Sequence, residues 1–198
     1  MRRKTFDTLL TSGGLMVAII LAVAGSLLLW GHNFANSNVR SQLAQQQISF
    51  PAQGSQALTA SPEISRYLTP YAGQQVLSGP QAKAYADHYI AVHLKDMPYQ
   101  GVYAKVSAAA MAHPNDPKLQ AEVQTVFRGT TLRGLLLEAY AFWQMGQIAL
   151  IGAIVSFVMA AVMLVMTGFG FWHLRRVDPA EELMPAPRSV TPATPAMA

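Results

Sequence analysis

Leu15-Met16-Val17-Ala18-Ile19-Ile20-Leu21 and Leu150-Ile151-Gly152-Ala153-Ile154-Val155 decide the fold class of this chain. The first stretch lies in a run from Thr8 to Gly31 without a charged side chain, the second in a charge-free run from Ala139 to Trp172. About 20 apolar residues, rising 1.5 Å each, cross a hydrocarbon core of about 30 Å. Both runs exceed that length, so spans are expected over 9–31 and 146–172. The rest of the composition agrees: 12% of the 198 residues are charged and 52% are hydrophobic, and the charged share is about half that of a soluble domain.

The charges outside these runs set an expected orientation. Arg2, Arg3 and Lys4 precede the first run, and Arg175 and Arg176 follow the second. Basic residues collect on the cytoplasmic side of a membrane, so both termini are expected inside and the middle outside. The middle carries Arg40, Arg66, Lys83, Lys95, Lys105, Lys118, Arg128 and Arg133 against six carboxylates. It is nearly balanced, and the net charge of +4 therefore marks no nucleic-acid surface. A cleaved signal peptide would need small residues after its apolar stretch. Leu27-Leu28-Leu29-Trp30 is bulky instead, which favours an anchor that is retained. The chain has no cysteine, which removes disulfides, thiolate metal sites and cysteine nucleophiles.

Between the runs the chain reads as short helices. Val39, Leu43 and Ile48 extend the first helix outward. Pro51, Gly54, Pro62, Pro70, Gly73, Gly79 and Pro80 then break the backbone into turns and extended pieces, with a short helix near Glu63–Leu68. Pro80 opens a helix that Met97-Pro98 closes, and a second runs over about Val102–Ala112. Asp116-Pro117 caps a third, which is expected to continue into the membrane with a bend allowed at Gly129 and Gly134. The tail from Pro179 to Ala198 is rich in proline and alanine and is expected to be disordered. The fold class expected is an all-α membrane protein, a transmembrane helical hairpin with a mostly helical extracytoplasmic domain. Its parts are a cytoplasmic start (1–8), a span (9–31), the external domain (32–145), a second span (146–172) and a cytoplasmic tail (173–198).

The runs Tyr71-Ala72-Gly73-Gln74-Gln75, Gln81 to Lys95, and Thr125 to Leu137 with Ala139-Tyr140-Ala141-Phe142 resemble a family of small two-span membrane proteins found mostly in actinobacteria. The resemblance covers most of the chain and weakens at the tail. It implies the bacterial cytoplasmic membrane and carries over no activity, catalytic residue or cofactor.

Candidate sites are few. Gly14, Ala18, Ala22 and Ser26 recur every fourth residue, as do Gly152, Ser156 and Ala160. Small faces let helices approach closely in lipid, so these stripes either pack the two spans together or serve a partner. Arg128 and Arg133 lie where the middle hands over to the second span. They either pair with a carboxylate such as Glu122 or Glu138, or grip lipid phosphate or an acidic partner. Tyr85, His88 and Tyr89 form a possible ligand pocket, set against the plainer reading of an aromatic core. His88 and His93 are five apart, about 140° on an ideal helix, which is a poor metal spacing. No metal or cofactor is expected. Neither span contains an ionisable residue, which disfavours transport by this chain alone.

The expected function is therefore a non-catalytic accessory, stabilising or assembly subunit of a larger bacterial membrane complex, respiratory or concerned with envelope transport. Its partners would be other membrane subunits and membrane lipid. The alternative is an extracytoplasmic ligand-binding or sensing protein. On the expected topology, a cysteine at Ser55 reacts with a membrane-impermeant thiol reagent in intact cells, and one at Thr191 does not. The reverse labelling pattern would overturn the orientation.

Overall fold

The computed structural model describes residues 3–176. Among them there are helices and no β-strand: α1 (Arg3–Gln46), α2 (Gln56–Thr59), α3 (Pro62–Leu68), α4 (Gly79–Tyr85), α5 (Ala91–Lys95), α6 (Tyr103–Ala112) and α7 (Pro117–Leu174). A π-turn (Ala86–Ile90) joins α4 to α5, and 3-10 turns cover Thr69–Tyr71 and Pro98–Gly101. Two helices, α1 and α7, are long and apolar enough to cross a membrane. The expected tail, from Pro179 onward, lies outside the described residues. The chain divides into two compact units, one made of the start of α1 with the end of α7, the other of Leu27–Gly152.

In the first unit the two helices lie antiparallel. Gly14 faces Thr167 and Met163, Gly25 faces Phe157, and Gly170 faces Thr11. Two of these contacts mirror each other. A β-carbon on Gly170 would stand 2.6 Å from Thr11 Oγ1, and one on Gly14 would stand 3.0 Å from Thr167 Oγ1. Each helix thus carries a threonine three residues before a glycine, and each threonine sits on the other helix's glycine. Nothing larger than hydrogen fits at Gly170 without a shift.

The buried positions repeat every seven residues. They are Thr11, Ala18 and Gly25 on α1, and Ala153, Ala160 and Thr167 on α7. Half-buried Gly14 and Leu21, and Ser156, Met163 and Gly170, lie between them. A seven-residue repeat is the seam of a left-handed helix pair. This corrects the four-residue stripe. Four residues advance about 400°, so such a stripe drifts about 40° at each step. Ala18 is accordingly buried and Ala22 half-buried, whereas Ser26 is exposed, its hydroxyl donating to the Ala22 carbonyl at 2.8 Å. The residue that belongs on the seam is its neighbour Gly25. On α7 the drift runs the same way: Ala160 is buried, Ser156 and Gly152 are half-buried, and Ala153 takes the seam position next to Gly152.

The second unit packs short helices with the later part of α1 and the earlier part of α7. Its largest fully buried side chains are Leu43 from α1, Ile64 and Leu68 from α3, Val76, Val106 from α6, and Val126 and Leu136 from α7. Two segments are tied without a strand. Val76 donates to the Ile48 carbonyl and Phe50 to the Gln74 carbonyl, each at 2.8 Å, around a lone Ser49–Gln75 bridge. Side-chain caps start two of these helices: Ser61 accepts from Ile64 at α3, and Asp116 Oδ1, the cap expected from the sequence, accepts from Lys118 and Leu119 at α7. Close approach again relies on glycine. A β-carbon at Gly146 would meet that of Ala35 at 2.9 Å, and one at Gly79 would lie 2.5 Å from the Cβ of Trp143. No bend is needed at Gly129, which instead accepts the side chain of Leu94.

These contacts give a paired expectation. Gly170→Ala overpacks the seam against Thr11 and lowers stability by about 1–3 kcal/mol. Gly13→Ala, where nothing lies within 4 Å, leaves stability unchanged or slightly raised. Thermal unfolding in mild detergent distinguishes them, and equal effects from the two would remove the seam from this account.

Candidate functional site

The polar groups of the second unit converge on the π-turn. Here the helix holds one residue more per turn than an α-helix, a feature common at functional sites. Asp87 is its centre. Lys83 Nζ donates to Asp87 Oδ2 at 2.6 Å from the preceding turn, and Arg133 of α7 donates to Oδ1 at 2.8 Å. Burial raises the Asp87 pKa, but the hydrogen bonds and charges of Lys83 and Arg133 outweigh it and hold the carboxyl below its ordinary value. Lys83 also lies over the Tyr140 ring, 5.4 Å from its centre. His88, the next residue, engages a separate set. Its ring stacks on Tyr67 at 3.7 Å between centroids, and Nδ1 lies 3.2 Å from Glu63 Oε1.

The three residues read as a possible pocket are therefore not one wall. Tyr85 and Tyr89 belong to a column of rings, Tyr71–Phe50–Tyr85–Tyr89–His93, with successive centroids 4.5–5.5 Å apart. They pack against the core. Burial first, and the neighbouring Tyr89 second, push the Tyr85 phenol up to about 12, so it stays neutral. His88 sits in the Tyr67–Glu63 group instead. The plainer reading, an aromatic core, describes Tyr85 and Tyr89.

Arg133 and Arg128 separate in the same way. Arg133 is paired, but with Asp87 and not with Glu122 or Glu138. Arg128 is exposed and has no carboxylate partner among the described residues. Because α7 is unbroken, Arg133 lies thirteen residues and Arg128 eighteen residues before residue 146. At 1.5 Å per residue these are about 20 and 27 Å along the axis.

Three features escaped the sequence reading. His32 Nδ1 lies 2.9 Å from the Gly146 carbonyl, and Asn36 Nδ2 lies 3.0 Å from His32 Nε2. A proton on Nδ1 satisfies both contacts. The four-residue spacing of His32 and Asn36 at the end of an apolar run was the available signal. The second is the turn at Tyr99, Gln100 and Gly101, all three with φ between 56° and 66°. Gly101 has no alternative, since a β-carbon there would meet the Leu94 carbonyl oxygen at 2.5 Å. Tyr99 and Gln100 each carry the left-handed penalty of about 1–2 kcal/mol. Nothing in the sequence marks them. The third is a cavity of about 360 Å³ with Asn38, Gln42, Gln46 and Glu138 over Leu43 and Phe142. Among the described residues no cluster of three or more metal-ligating side chains occurs.

No protein-family model matches the chain, and no curated protein or solved structure is similar to it.

Asp87 supplies a pH expectation. A carboxyl whose folded pKa is lowered contributes stability above its unfolded value, near 3.9, and loses that contribution as pH falls through the lower folded value. Asp87→Asn therefore removes about 1 kcal/mol at pH 7, given that partly exposed pairs are each weak, and its effect fades as pH falls through the lowered folded value. Unfolding of both proteins from pH 7 to pH 2.5 tests this. A gap that stays constant with pH would refute the ion-pair account.

Proposed function

We propose that this chain is a non-catalytic accessory or assembly subunit of a larger bacterial membrane complex. On this reading α1 and α7 cross the cytoplasmic membrane, both termini are cytoplasmic, and the middle is an extracytoplasmic domain. The resemblance to small two-span actinobacterial membrane proteins agrees with that topology, and the basic residues at both ends support its orientation.

The observation that carries the reading is the contrast between satisfied polar groups and unsatisfied aromatic surface. In the second unit Asp87 is answered by Lys83 and Arg133, and His88 by Glu63 and Tyr67. These groups are spent within the chain. Large apolar side chains of the same unit are less fully covered: Tyr99, Tyr103, Met111 and Phe127 are 42–74% exposed. Exposed aromatic surface of this kind marks protein contact more often than chemistry. In the first unit the small residues of the seam meet one another across the two helices, Gly14 against Thr167 and Gly170 against Thr11.

A ligand-binding sensor is the second reading. The cavity of about 360 Å³ favours it, since its volume and its few amides and one carboxylate over an apolar floor suit a small molecule.

Extraction of the native membrane in mild detergent, followed by native mass spectrometry, tests the first reading. The expected result is recovery of the chain in fixed stoichiometry with other membrane proteins. Recovery as a lone monomer under the gentlest extraction would overturn it.

A further inference from the structure

The cavity of about 360 Å³ in the second unit selects for charge as well as for size. One wall is α1, where Asn38, Gln42 and Gln46 recur every fourth residue and set three carboxamides along about 12 Å of helix. Gln42 Nε2 donates to Asn38 Oδ1 at 2.5 Å, which turns the first two amides toward each other. The other wall is α7, where Glu138 stands one turn from the half-buried ring of Phe142. The floor between the walls is apolar, with Val39 and Leu43 both buried. Glu138 is the single charged side chain among the described lining residues, which include no lysine, arginine or histidine. It has no cationic partner elsewhere among the described residues either.

We infer that this cavity binds a small organic cation, an ammonium group carried on a compact apolar body. Each other class of ligand fails on the lining. An anion would meet a carboxylate with no basic side chain to offset it. A wholly apolar molecule would cover the carboxylate and the carboxamides without hydrogen-bonding to them, which is costly. An ammonium answers each group in turn. It donates to Glu138 in a charge-assisted hydrogen bond, about twice as strong as a neutral one. Carboxamide oxygens of α1 accept its remaining protons, the Phe142 ring attracts the cation by its face, and the body lies on Leu43. Glu138 is exposed, so its charge stays hydrated until a ligand covers it. The inference rests on the sensor reading of the same cavity and names its ligand class.

The test uses the full chain purified in an uncharged maltoside detergent. Isothermal titration calorimetry compares three probes of similar size: phenethylamine, phenethyl alcohol and phenylacetate. The amine should bind, the alcohol should bind about tenfold more weakly, and the anion should not bind. Glu138→Gln should bring the amine down to the level of the alcohol without changing the melting temperature. Glu122→Gln, on the same helix but outside the lining, should leave binding intact. Ala141→Trp, at an exposed position of the lining, should fill the cavity and abolish binding; if it also lowers the melting temperature, Glu138→Gln decides alone. Competition by a lipid with an ethanolamine headgroup would name the membrane as the source of the ammonium, and its failure would name a soluble amine. Equal affinity for amine and alcohol, or full amine binding by Glu138→Gln, would overturn the inference. If amine and alcohol bind equally and Ala141→Trp removes both, the charge selection is wrong and the sensor reading survives. If no probe binds, or a folded Ala141→Trp variant binds them all as before, the inference and that reading fall together.

Discussion

Close antiparallel approach of two long helices is the constraint on which each unit depends. Glycine and alanine make it possible. In the first unit the threonines at 11 and 167 rest on the glycines at 170 and 14, and in the second Ala35 meets Gly146. In lipid there is no hydrophobic gain from bringing apolar helices together, so shape has to do it. A paired threonine–glycine contact fixes both the separation of the axes and the register, because a slip of one residue would set a threonine on a bulky neighbour such as Phe169 or Phe171. In the second unit burial of Leu43, Val126 and Leu136 adds the usual hydrophobic term.

Much of the fold was legible because its signals are local. Charge-free runs, proline after a capping residue, and the alanine-rich stretch ending at His113-Pro114 each act within a few residues. The helix start at Asp116 therefore follows the sequence. The seam was half legible. Small residues at four-residue intervals announce a close-packed face, but only the partner helix decides between periods of 3.5 and 4, and it selects Gly25 over Ser26. The ion pair of Arg133 was not legible. Its acceptor, Asp87, is 46 residues away and reaches it through packing that no spacing rule describes. Glu122 and Glu138 were the natural candidates only because they share its helix.

The candidate site shows the same division. Aromatic residues at 85 and 89 signal burial from periodicity alone, and the structure puts them in the core column. The left-handed turn has no such signature. Tyr99 and Gln100 are ordinary residues for a right-handed or extended backbone, and they are held otherwise by the fit of Gly101 against Leu94. That is a tertiary cause, and it overrides the local preference of both side chains. Surface that looks unremarkable in the sequence thus becomes the most distinctive part of the unit.

The π-turn carries a consequence for how this chain diverges. A π-turn is equivalent to an α-helix that has gained one residue without lengthening, so Gly79–Tyr85 and Ala91–Lys95 are two helical segments about 100° out of phase. Leu94, on the segment beyond the offset, lies against Gly129. A relative lacking the extra residue would align with this chain across the segment only through a gap inside a helix. Its side chains beyond the gap would face elsewhere, and the Leu94 cradle and the turn that rests on it would be lost together. Presence or absence of one inserted residue between 86 and 90 would then sort relatives into those that can seat a side chain at position 94 against Gly129 and those that cannot.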